Sequence, residues 1–116
     1  MNILEELNTL LSSTNVPVET GHFSSPAPDA YIVLVPIIDR FPISADNYPL
    51  NDVQEVRISL FSKSNYLTLK KQITSLLLKN DFTITDRRYN GFESGSGYHQ
   101  LTIDVAKVYD IDTEEN

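Results

Sequence analysis

A chain of 116 residues, 41% hydrophobic and 22% charged, has the size and usage of one folded domain whose core buries roughly two thirds of the surface the unfolded chain exposes. Its net charge of −7 disfavours binding to nucleic-acid phosphates, and the absence of cysteine excludes disulfides and thiolate metal sites, which suits a reducing cytoplasm. Glu5 and Glu6 stand where a signal peptide carries positive charge, and the apolar run over residues 30–38 is broken by Pro36 and far shorter than the ~18 residues of a membrane helix, so neither export nor a membrane role is expected.

In chain order, Ile3, Leu4, Leu7, Leu10 and Leu11 recur at helical spacing and predict a helix over residues 2–13, with Glu5 and Glu6 favourably near its positive end and Pro17 beyond its stop. Residues 16–23 read as a short strand and 24–29, with Pro26 and Pro28, as a loop. Residues 30–38 read as a strand apolar on both faces, the pattern of a central strand buried on each side. Residues 39–51 read as a long loop or as a short irregular edge strand around 42–45.

From 52 to 62 the chain alternates Val56, Ile58 and Leu60 against Glu55, Arg57 and Ser59, which predicts a strand covered on one side with a wet opposite face. A second helix follows to about Lys79, capped by Ser62 or Ser64, with Tyr66, Leu69, Ile73, Leu76 and Leu77 as its core stripe. Asn80 suits a left-handed C-cap, and Lys70, Lys71 and Lys79 are placed outward. Residues 82–89 and 99–109 alternate again and flank a glycine-rich stretch, 90–97, as a hairpin with a mobile tip. The predicted fold is a single α+β domain over residues 1–109, one mostly antiparallel sheet with two helices packed on one face, followed by an acidic, flexible tail over 110–116.

Charge is segregated along this order. Residues 1–62 hold 8 acidic and 2 basic side chains, 63–88 hold 2 acidic and 6 basic, and 89–116 hold 6 acidic and 1 basic. Opposite charges on separate surfaces of one subunit can guide head-to-tail association.

Material for catalysis is thin. The two histidines, His22 and His99, lie in no motif, and no HExxH, CxxC or EF-hand spacing occurs. Asp110, Asp112, Glu114 and Glu115 lack the glycine and the spacing of a calcium loop. The glycine-rich stretch joins two strands and contains Glu93, whereas a phosphate loop leads from a strand into a helix. No catalytic, cofactor-binding or metal-ligating residue is expected. Candidate partner contacts are Phe92, a lone aromatic in a polar glycine-rich segment, with Glu93, the neighbouring Arg87 and Arg88, and the acidic Asp110 and Asp112.

Over residues 53–82, VQEVRISLFSKSNYLTLKKQITSLLLKNDF, the chain resembles the central strand, LFSK junction and following helix of tail terminator, tail completion and tail-to-head joining proteins from phages of Gram-positive bacteria. The N-terminal helix with VPVETGHF, the AYIVLVPI strand and the closing YHQLTIDVAKVYDI strand stand in a similar order, so the resemblance spans residues 2–111. It implies a ring, commonly a hexamer, stacked on the tail tube, with the major tail tube protein and a head-tail connector as partners. It implies no cofactor and no chemistry, and a place at the head-tail junction of the virion after assembly in the host cytoplasm. The competing reading is a monomeric ligand-binding or catalytic α+β domain with a pocket between helices and sheet centred on His22 or His99.

Overall fold

The first helix, α1 (Ile3–Leu11), is started by a reciprocal cap: the Asn2 side chain accepts from the Glu5 backbone N–H and the Glu5 carboxylate from the Asn2 N–H. It ends in a 3-10 turn, Ser12–Thr14, closed by Asn15 in the left-handed region at φ 63°. In the computed structural model residues 2–21, 28–40 and 51–110 are described, with backbone alone at 38–40, 51, 52 and 110. His22, the segment at 42–45 and residues 111–116, with Asp112, therefore lie outside the described residues.

The strands are β1 (Val18–Thr20), β2 (Ala30–Arg40), β3 (Asn51–Ser62), β4 (Thr83–Glu93) and β5 (Tyr98–Asp110), with α2 (Tyr66–Lys79) between β3 and β4. They form one mixed sheet in the order β1-β2-β3-β5-β4, in which β1 runs parallel to β2 and every other pair is antiparallel. This is the expected α+β architecture.

One face of that sheet carries the core. Ile32, Leu34, Val56, Ile58, Leu60, Leu101, Ile103 and Val105 alternate along β2, β3 and β5 and are sealed under Ile3, Leu7 and Leu11 of α1 and Ile73 and Leu77 of α2. Each such side chain contributes about 1.5 to 3 kcal/mol of transfer free energy before chain entropy is counted.

Several local expectations are corrected. The α2 cap is Asn65, whose side chain accepts from the Thr68 N–H at 3.2 Å, while the Ser62 hydroxyl accepts from the Ser64 N–H. The left-handed residue after α2 is Asp81 (φ 67°), because Asn80 stays at φ −113° and uses its side-chain amide to donate to the Leu76 carbonyl. Leu76 is only partly buried, so the core stripe of α2 is narrower than its sequence pattern suggested. Strand β2 lies second in the sheet, and among the described residues no helix covers its other face, where Val35 and Ile37 are exposed by 38% and 40%. Strand β4 runs on through Asn90, Gly91 and Phe92 to Glu93, which leaves only residues 94–97 as the hairpin tip. Asp110, expected in the tail, is the last residue of β5 and pairs with Asn51.

Candidate functional site

Of the six expected contact residues, Asp110 ends β5 and four, Arg87, Arg88, Phe92 and Glu93, lie on β4. This strand is an edge of the sheet, joined on one side to β5, and an edge strand offers unpaired N–H and C=O groups to any other chain. Register shifts at Ile84/Asp86 and Tyr89/Gly91, together with Asp86, Arg87 and Arg88, are the features that keep such an edge from pairing at random.

The register sends neighbouring residues of β4 to opposite faces. Arg87 pairs with Ile103 and lies on the helix side, whereas Arg88 pairs with Thr102 on the other side and is held by Asp86 at 2.9 Å. The two arginines therefore do not form one anion site. Phe92 pairs with His99 on the helix side and Glu93 with Tyr98 on the opposite side, where Glu93 accepts from the Ser96 hydroxyl at 2.6 Å.

Three surfaces result. On the helix side of the hairpin, the Tyr66 ring of α2 lies 5.3 Å from Tyr89 and 4.7 Å from His99, and Phe92 lies 4.9 Å from His99 while remaining 55% exposed. His99 Nδ1 sits 3.0 Å from the Tyr89 hydroxyl. On the helix-free side, Tyr31 stacks on Phe61 at 4.6 Å, and Tyr98 stands edge-on to both while its hydroxyl donates to the Pro28 carbonyl. With Glu93 and Gln100 these rings line a shallow cup of about 360 Å³. Burial, and then the neighbouring Tyr98, push the Tyr31 hydroxyl above its ordinary pKa.

The third surface is a groove of about 620 Å³ between the outer side of α2 and β4, lined by Leu67, Leu78, Lys70, Lys71 and Arg87 and by the hydroxyl residues Thr68, Thr74 and Ser75. Leu67 and Leu78 are each 59% exposed. Among the described residues, none of the three cations makes an ion pair.

At the other end of the sheet, Lys107 ties three elements together. Its ammonium donates to Glu6 of α1 at 2.7 Å and to the Asn80 carbonyl after α2 at 2.9 Å, and lies 4.4 Å from the centre of the Phe82 ring. Burial works against the Glu6 carboxylate, but donation from Lys107 and Tyr109 outweighs it and holds Glu6 below its ordinary pKa. Burial and the bond to Glu6 push the Tyr109 hydroxyl up.

No protein-family model matches the chain, and no curated protein matches it closely enough to count as a relative. Among the described residues no group of three or more His, Cys, Asp or Glu side chains is placed to hold a metal ion, and no helix is long and apolar enough to cross a membrane. Among the described residues, aliphatic side chains occupy the middle of the space between helices and sheet, and His99 is packed among aromatic rings at the hairpin, away from it.

Sequence reasoning missed the groove and the cup. The groove had a signal, because Leu67 and Leu78 are eleven residues apart on α2 and fall on one face, displaced from the stripe of Ile73 and Leu77. The cup had none, since Tyr31, Phe61 and Tyr98 are brought together only by the pairing of β2, β3 and β5.

Proposed function

We propose that the chain is a non-catalytic structural subunit of a long-tailed phage or prophage, one that caps the tail tube or joins the tail to the head connector as a ring, with a hexamer favoured. The observation that carries this reading is the block from β3 through the LFSK junction into α2, whose sequence resembles such proteins and which forms one continuous strand, turn and helix at the middle of the fold. The surface lends support: an edge strand eleven residues long, exposed Tyr89 and Phe92 on the helix side of the hairpin, and a basic groove on a chain of net charge −7 suit a subunit built to meet other subunits. Its partners are further copies of itself, the major tail tube protein and a head-tail connector, and its place is the head-tail junction of the virion.

Deleting the gene from the phage or prophage that encodes it and imaging particles by electron microscopy tests the reading. Tails of abnormal length, or full-length tails left unjoined to filled heads, are expected, with wild-type particles restored by the gene in trans. Normal particles and normal titre after deletion would exclude a tail role.

A further inference from the structure

The groove between α2 and β4 has a specific chemistry. Three cations without an ion pair among the described residues, Lys70, Lys71 and Arg87, stand between two exposed leucines, Leu67 and Leu78. An occupant that suits it carries several carboxylates close together with an apolar side chain among them, since charge guides the approach and burying leucine surface holds it. The chain contains such a segment immediately after β5: residues 111–116 read IDTEEN, Ile111 followed by the three carboxylates Asp112, Glu114 and Glu115.

We propose that this groove receives the acidic segment 111–116 of a neighbouring copy of the same chain. The inference rests on the reading of the protein as an assembly subunit and names the contact through which copies meet. Charge complementarity favours this occupant, and the segment leaves its own sheet at Asp110, seven residues along β5 past the level of Arg87, roughly 23 Å at ~3.3 Å per residue. Docking within one chain would leave the protein monomeric, whereas docking between copies makes association depend on both the groove and the segment. The contact uses one patch on each partner and a different one on the other, and such a head-to-tail interface repeats into a ring when its rotation closes.

Two full-length variants test it, both checked for wild-type melting. The first reverses the groove (Lys70→Glu, Lys71→Glu, Arg87→Glu) and keeps the segment. The second neutralises the segment (Asp112→Asn, Glu114→Gln, Glu115→Gln) and keeps the groove. In sedimentation velocity the wild type should self-associate, and each variant alone should associate about tenfold more weakly or not at all, as expected for three lost charge pairs of ~0.5 kcal/mol each. An equimolar mixture should form a 1:1 complex, because one intact groove meets one intact segment, and the complex should loosen as sodium chloride rises from about 0.05 to about 0.5 M. A wild type that stays monomeric, association untouched by both sets of substitutions, or a mixture that forms no complex would each overturn the docking. So would a short DNA duplex bound by the wild type and lost on groove reversal, since phosphate would then be the occupant. The two proposals fail separately: normal tails after gene deletion remove the phage reading, whereas wild-type tails formed by both variants remove this contact alone.

Discussion

On the helix side of β3, Val56, Ile58 and Leu60 are sealed under α1 and α2, while one step along the same strand Glu55, Arg57, Ser59 and Phe61 face the side that neither helix covers. Simple alternation would make that second side wet. It is not uniformly so: Val33, Ser59 and Asp104 are buried there, and Arg57 lies across Asp104 with two hydrogen bonds at 2.9 and 3.0 Å. Thr85 of β4 adds a bond to Glu55 at 2.9 Å. Among the described residues, ion pairs and aromatic stacking of the sheet's own side chains thus cover part of a face on which no helix packs.

Removing volume from each side should separate the two faces most sharply. Ile58→Ala empties a fully enclosed site and should lower stability by about 2 to 5 kcal/mol in urea unfolding. Glu55→Ala, on the other face of the same strand, should stay within about 0.5 kcal/mol. Equal costs would show that the two faces do not differ in packing.

A middle-sized effect is expected at the edge of the core, where Lys107 joins α1, β5 and the end of α2. Lys107→Met keeps the stem and removes two hydrogen bonds, so it should cost about 1 to 2 kcal/mol near neutral pH. Glu6 is held below its ordinary pKa, so its contribution is complete above the ordinary carboxylate range of about 4.3 and disappears as pH falls through its folded value. The difference between wild type and Lys107→Met should therefore shrink on acidification below about pH 4. A difference that is constant with pH would mean that the Lys107–Glu6 bond contributes nothing and that only the Asn80 contact matters.

Legibility follows the same division. The core was readable because one period, 3.6 on α1 and α2 and 2 on the strands, fixes which residues turn inward; Ile3, Leu7, Leu11, Val56, Ile58, Leu60, Ile73 and Leu77 are all where the pattern puts them. Capping was misread by one residue at both ends of α2, since serine, asparagine and aspartate compete for these positions with similar energies. The hairpin was read too short, because the glycine at 91 signals a turn as readily as the bulge that it forms. Of the expected contact residues, Arg87 joins a basic groove, Phe92 and Glu93 line opposite faces, and Arg88 is occupied by Asp86. That distribution depends on two register shifts in β4, and nothing in the local sequence fixes them both.

The smallest effect concerns the aromatic closure of the helix-free face. Tyr31 and Phe61 are direct cross-strand partners with rings 4.6 Å apart and 12° from parallel, so most of their value should lie in the pair and not in either ring alone. Phe61→Leu and Tyr31→Leu preserve much of the apolar area while removing stacking. A double-mutant cycle across them should give a coupling of about 0.5 to 1.5 kcal/mol. If the pair closes the face as a unit, Tyr98 should respond as well, because it stands edge-on to both rings. Its ring resonances in an NMR spectrum should then shift in either single variant and no further in the double. Zero coupling with an unmoved Tyr98 would reduce the cluster to three independent half-buried rings, and the helix-free side would then be the ordinary wet face that alternation predicts.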